Sequence, residues 1–198
     1  GTLDPFASGL LIVCVGRPAT RIISQLMAGD KLYEAVVQLG VETDTQDTEG
    51  KVISRQPVGL ISAAEVEIWL QGVRGEQLPS APAWSAGAQD GPARKGVVIE
   101  KEPRRIIVNQ LRCLSLNAEQ MRIRVGCSKG TYIRTLAADI GKKLGCGAHL
   151  TELRRLENGP FRVEDAVLGA MLEDREEARA ALLANHLSVE QALSLSRQ

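Results

Sequence analysis

The sequence has little of what marks metal, redox or membrane proteins. Its four cysteines, Cys14, Cys113, Cys127 and Cys146, form no CxxC pair, so neither a zinc site nor a dithiol redox centre is indicated. Cys14 and Cys127 lie in apolar runs and read as small hydrophobic residues of a reduced protein. The two histidines, His149 and His186, are far apart and lack neighbouring ligands. No run approaches the roughly 18 apolar residues that a membrane helix needs, and the expected compartment is the cytoplasm. Net charge is zero, with 24 basic residues against 24 acidic ones. Bulk electrostatics therefore gives no argument for a nucleic-acid partner.

What is present suits a globular core. The 198 residues are 44% hydrophobic, enough for one domain of roughly 100–200 residues and against disorder. Charge is local rather than global. Basic residues cluster at Arg104 and Arg105, at Arg122, Arg124, Lys129 and Arg134, at Lys142 and Lys143, and at Arg154 and Arg155. This distribution is compatible with a basic face on a neutral protein.

The chain opens on Gly1-Thr2-Leu3-Asp4-Pro5-Phe6-Ala7-Ser8-Gly9. Pro5 disfavours the helical region for Asp4, and Ala7, Ser8 and Gly9 are small enough for close backbone approach. The apolar run 10–15 predicts a buried strand. A helix is expected after Pro18, with Ile22, Ile23, Leu26 and Met27 at helical spacing and Gly29 as its stop. Residues 31–40 read as a strand. The acidic segment 42–50 is a turn; a calcium loop from Asp44 would need glycine and glutamate where Glu49 and Arg55 stand. Ser62 and Glu65 make a capping box, and Trp69 is the expected core anchor of the helix that follows. Residues 76–96, with three prolines and three glycines, read as a loop or insertion. Strands are expected at 97–102, 104–116 and 121–127. In the last of these, Met121, Ile123, Val125 and Cys127 share one face, with Arg122 and Arg124 on the other. A helix along Ile133, Leu136, Ala137, Ile140 and Leu144 closes at Gly145. A strand over 149–156 follows, then helices over 165–184 and after Ser188, which makes a second capping box with Gln191.

By residue type alone, Asp4 is either an acid closing an Asp-Pro turn or a nucleophile mounted on a stiff loop. Arg134 is either a surface cation or a partner for an acid. A glycoside hydrolase would need a second acid of raised pKa; Asp44 and Asp47 lack the apolar flanks for that.

The string GTLDPFASGLL at 1–11 resembles the catalytic motif of the TruB family of tRNA pseudouridine synthases. So do Lys31-x-Tyr33, the TDTQDTEG string at 43–50, CSKGTYIRTL at 127–136 and AHLTELRRL at 148–156. Pro82-Ala83-Trp84-Ser85-Ala86 retains part of a string with which the family grips the T arm. Trp84 replaces its tyrosine and Ala88 its lysine. The resemblance implies an α+β (mixed α/β) catalytic domain over 1–165, with a central, largely antiparallel sheet flanked by helices. In that reading 76–100 is a divergent RNA-gripping insertion and 166–198 a helical tail. The family's preceding strand and loop, and its small C-terminal RNA-binding module, are expected to lie outside this chain.

The implied activity is isomerisation of uridine 55 in the tRNA T loop to pseudouridine by base flipping. Asp4 is then the nucleophile, and Tyr33 stacks on the base or moves a proton. Arg134 would pair with Asp4 in a forked contact that lowers its pKa, and Leu153 would form an apolar wall. Lys31, Lys129, Arg154 and Arg155 would contact RNA. The reaction calls for no cofactor and no metal, and tRNA is the expected partner of a monomer. A tRNA-binding or remodelling protein of the same fold, with little or no turnover, is the alternative.

Overall fold

A computed structural model describes residues 2–77 and 105–196. In chain order the elements are β1 (Ser8–Gly9), α1 (Gly16–Thr20), α2 (Ile23–Leu26), β2 (Lys31–Leu39), β3 (Val41–Thr43), β4 (Val52–Arg55), α3 (Ala63–Val73) and β5 (Gly75–Gln77). There follow β6 (Ile106–Leu116), β7 (Gln120–Cys127), α4 (Ile133–Lys143), β8 (Ala148–Asn158), β9 (Phe161–Arg162), α5 (Arg175–Asn185) and α6 (Val189–Leu195). The main sheet runs β1-β8-β2-β7-β6-β5, with β9 folded back on β8. All its pairings are antiparallel except β1 against β8. β3 and β4 form a separate hairpin.

Alternation decides which side of the sheet is core. Met121, Ile123, Val125 and Cys127 are buried as their spacing requires, with Ala35 and Val37 on the neighbouring strand. α3 contributes Val66, Leu70 and Val73 to this layer, and α4 contributes Ile133, Leu136, Ala137 and Ile140. The opposite face carries Glu34, Arg122, Arg124, Glu152 and Arg154, with ion pairs linking Arg124 to Glu34 and Arg122 to Glu152. One buried and one wet face is the common arrangement of an antiparallel sheet. The arginines expected on a common surface are therefore divided: some lie on this outer face, while Arg134 and Arg155 are buried.

β8 is the strand on which the candidate residues converge. It lies between β1 and β2, and α4 packs across it. Thus the segment after Asp4, the strand bearing Tyr33 and the helix bearing Arg134 all meet one strand.

Several expectations change. The run 10–15 is not a buried strand. Pairing ends at Ser8–Gly9, Leu10 N–H makes the last bond to Arg155 O at 2.9 Å, and the chain then leaves the sheet. Leu10 is buried, but Leu11, Val13 and Val15 are 54%, 73% and 85% exposed. The single helix expected after Pro18 is two short ones, with Leu26 as their one buried residue. Trp69 is 42% exposed and the α3 anchor is Leu70, with none of its surface exposed. The Ser62–Glu65 capping box is present, as is that of Ser188 with Gln191. The helix expected from 165 starts at Arg175, because Asp174 caps it by accepting from Glu176 and Glu177 N–H. Before it come 3-10 turns at Val163–Asp165 and Gly169–Leu172. The strand over 97–102, the motif at Trp84 and most of the insertion at 76–100 lie outside the described residues; Glu76 and Gln77 belong to β5.

Candidate active site

Asp4 stands at the start of a turn closed by Ala7 N–H donating to Asp4 O at 2.9 Å. Directly after this turn the chain enters the sheet, with Ser8 opposite Arg154 and Gly9 opposite Arg155. Gly9 adopts φ +96°, and a Cβ there would collide with the Arg155 carbonyl. The tight approach between this loop and β8 therefore requires glycine.

Arg134 reaches Asp4 from the first turn of α4. The Lys129-Gly130-Thr131 turn sets the helix start: Gly130 has φ +85° and Thr131 Oγ1 donates to Ser128 O at 2.9 Å. Arg134 Nε lies 3.0 Å from Asp4 Oδ2, but its N–H is not aimed at that oxygen, so the link is an ion pair without an aligned hydrogen bond. The expected fork onto Asp4 is not formed. Arg134 Nη1 turns instead to Asp47 Oδ2 at 3.1 Å and to Thr45 O at 3.3 Å. One planar cation thus bridges two carboxylates.

Asp47 is the residue that sequence reasoning undervalues: by residue type it is offered only as a second acid for glycoside hydrolysis, and the resemblance covers it only as part of the TDTQDTEG turn near the site. Here it is buried, accepts from Thr45 Oγ1 at 2.5 Å and Glu49 N–H at 3.0 Å, and holds Arg134. The hairpin turn presents it by docking on β8 and α4. Leu150 N–H donates to Gln46 O at 2.9 Å, and Thr135 Oγ1 donates to Gln46 Oε1 at 3.2 Å. Gln46 takes φ +64° to permit this. Asp44, equally acidic in sequence, stays exposed and accepts from Lys51 N–H. Only the fold separates the two.

The electrostatics also depart from expectation. Burial raises the Asp4 pKa above its ordinary value; the Arg134 guanidinium opposes the rise, and the Asp47 carboxylate adds to it. The expected lowering of the pKa by the arginine is therefore reversed. Desolvation outweighs it because the guanidinium charge is shared with a second acid. Tyr33 is likewise pushed up by burial, with the nearby Arg155 cation opposing; Asp4 is near enough to add to the rise. Leu153 is buried on β8 opposite Ala35, near Arg155 and Tyr33. By alternation Leu153, Arg155 and Tyr33 share a face, and Arg154 points the other way.

The four basic residues expected to touch RNA do not form a set. Lys129 and Arg154 are exposed. Lys31 is buried, its ammonium donating to Met27 O at 2.8 Å and Gly29 O at 2.5 Å; burial lowers its pKa. Arg155 is buried and donates from Nε to Leu10 O at 2.8 Å.

An acid, a phenol and an arginine are borne on three segments that meet at β8. Residues 1–133 match the TruB family pseudouridylate synthase N-terminal domain, and residues 134–194 match the tRNA pseudouridylate synthase B C-terminal domain. The chain belongs to the TruB family. It is 50% identical to tRNA pseudouridine synthase B of Desulfotalea psychrophila, covering 96% of this chain and 81% of that protein. To the protein of the same name from Stutzerimonas stutzeri it is 46% identical, covering 87% of this chain and 58% of the relative. Among solved structures, a chain of a Cbf5–Nop10–Gar1 complex superimposes with a TM-score of 0.72 at 27% identity, covering 98% of this chain. This TruB-family chain spans 52% of that one. A chain from an H/ACA RNP bound to a substrate RNA containing 2'-deoxyuridine shares the fold, with a TM-score of 0.60 at 22% identity; the match covers 90% of this chain and 46% of that one.

Proposed function

We propose that this chain isomerises uridine to pseudouridine in tRNA, acting as a monomer on uridine 55 of the T loop in the cytoplasm. The observation that supports the chemistry best is the Asp4–Arg134 ion pair at 3.0 Å beside Tyr33. A uridine stacked in a folded loop cannot reach a half-buried carboxylate, so the nucleotide is flipped out, at a cost of a few kcal/mol in lost stacking. The Tyr33 ring supplies a replacement surface. Asp4 attacks the sugar as the bond from C1′ to N1 breaks, and uracil departs with the bonding pair. The base then turns until C5 faces C1′. A new C5–C1′ bond forms, the carboxylate is released, C5 loses its proton and N1 gains one, so that substrate and product are isomers.

Each residue has a physical task in this sequence. Burial makes the Asp4 carboxylate more basic and hence a better nucleophile, while Arg134 keeps it ionised and oriented. Leu153 helps to exclude the water that would otherwise hydrolyse a detached sugar. Lys129 and Arg154, being exposed, are the residues of the basic set suited to phosphates, whose contacts position the RNA without reading its sequence.

The test is tritium release from a tRNA transcript labelled at carbon 5 of uridine, with mapping of pseudouridine in the T arm. Release from the wild-type chain at that uridine is expected, and Asp4→Asn should abolish it with tRNA affinity held within a few-fold. Turnover by the variant would remove Asp4 from its role. A wild-type chain that binds tRNA without release would support the remodelling alternative.

A further inference from the structure

We infer that Arg155 is a positioning residue of this site, holding the Asp4 loop and the Tyr33 ring in register, and not a contact to RNA phosphate. The inference rests on the reaction proposed above.

An arginine 2% exposed in a strand needs an explanation, because a buried cation is costly unless its donors are satisfied. Its neighbour Arg154 shows what the solvent-facing alternative looks like. Arg155 spends its main chain and its side chain on the two elements that carry the reacting groups. On one side, its carbonyl accepts from Leu10 N–H at 2.9 Å and its Nε donates to Leu10 O at 2.8 Å. Both polar groups of Leu10 are thereby fixed close after Asp4, next to a glycine that only fits because it lacks a side chain. On the other side, Arg155 is the direct cross-strand partner of Tyr33, on the same face of the sheet and close enough for its charge to act on the phenol.

The register makes this pairing possible. Tyr33 lies opposite Arg155 while Leu32 lies opposite Glu157, so Leu156 is an extra residue in β8. Such a bulge re-aims side chains locally. Arg155 thus joins two sequence-distant segments through one rigid, planar group, which lysine cannot imitate with a single ammonium. The arginine also opposes the rise in the Tyr33 pKa that burial causes.

The experiment compares wild type, Arg155→Met and Arg155→Lys in single-turnover tritium release with enzyme in excess. It adds filter-binding of tRNA over a salt series, and repeats both substitutions in a Tyr33→Phe background. A displaced reacting group costs on the order of 100-fold in rate. The saturating rate should therefore fall about 10- to 100-fold in both variants, with affinity and salt slope unchanged. In Arg155→Met, which loses the charge, the pH–rate profile should move to higher pH, and in both variants the loss should shrink in the Tyr33→Phe background, because the two residues act together.

A drop in affinity with the salt slope reduced by about one, at unchanged saturating rate, would make Arg155 a phosphate contact and overturn the inference. So would full additivity with Tyr33→Phe. If Arg155→Met fails to fold by circular dichroism, Arg155→Lys decides alone, and wild-type kinetics in it refute positioning. A wild-type chain that releases no tritium refutes the proposed function itself, and the positioning role falls with it.

Discussion

Replacing Arg134 by lysine probes the bridge between the two acids while keeping a positive charge. The guanidinium spans Asp4 and Asp47 from different nitrogens, at 3.0 and 3.1 Å. An ammonium on a flexible stem cannot reproduce that fork and will settle on one carboxylate. Asp47 is the stronger claimant, because its side chain is 5% exposed against 17% for Asp4 and it gains most from an unscreened counter-charge. Asp4 then loses its cation. A hydrogen bond or contact to a charged group contributes about 1.5–3 kcal/mol, which corresponds to a rate loss of about 10- to 150-fold at saturating tRNA. With burial less opposed, the Asp4 pKa rises further and the acid limb of the pH–rate profile moves to higher pH. The assay is single-turnover tritium release between acid and neutral pH. Unchanged kinetics, or a limb that moves to lower pH, would refute the account of Arg134 as a shared clamp.

Asp47→Asn should move the same limb the opposite way, because removing this carboxylate takes away a contribution that raises the Asp4 pKa; a shift to higher pH would contradict it. Asp4→Asn, besides ending turnover, should leave the melting temperature at neutral pH no lower than wild type. The sign follows from linkage: a carboxyl whose pKa is raised on folding costs stability once ionised, and that cost disappears as pH falls through the native pKa. The wild type should therefore gain on the variant as pH falls through that range, and a clear drop in the variant's melting point at neutral pH would refute the balance argued here. Gly9→Ala should destabilise the fold by about 1–3 kcal/mol through its left-handed backbone and the clash with Arg155 O, and should slow turnover as well; normal melting and activity would show that the loop tolerates looser docking. Leu70→Ala should cost about 2–5 kcal/mol in denaturant melts and Trp69→Ala less than half as much, and the reverse order would restore Trp69 as the α3 anchor.

Short-range physics makes much of this fold legible in the amino-acid order. The alternation in 121–127 places a half-buried strand correctly, because side chains of a strand must take opposite faces. The two capping boxes do the same for helix starts, since they satisfy backbone donors within the first turn. Where a partner has to be supplied by the rest of the chain, local pattern misleads. Residues 10–15 have every local mark of a strand, yet β8 pairs only with Ser8 and Gly9 ahead of that run, so Leu11, Val13 and Val15 remain exposed.

The chemistry divides along the same line. The sequence alone picks out Asp4, Tyr33 and Arg134 as candidates, because they are particular residue types in strings long enough to resemble a family. Tertiary structure alone decides how those groups are held. Asp47 and Asp44 look alike in a row of acids, and Arg154 and Arg155 are adjacent identical residues. Which acid meets Arg134, and which arginine faces inward to Tyr33 and Leu10, depends on a hairpin docking across β8 and on one extra residue in that strand. Burial then sets the pKa of Asp4, and burial is a property of the whole packed chain rather than of any stretch of it.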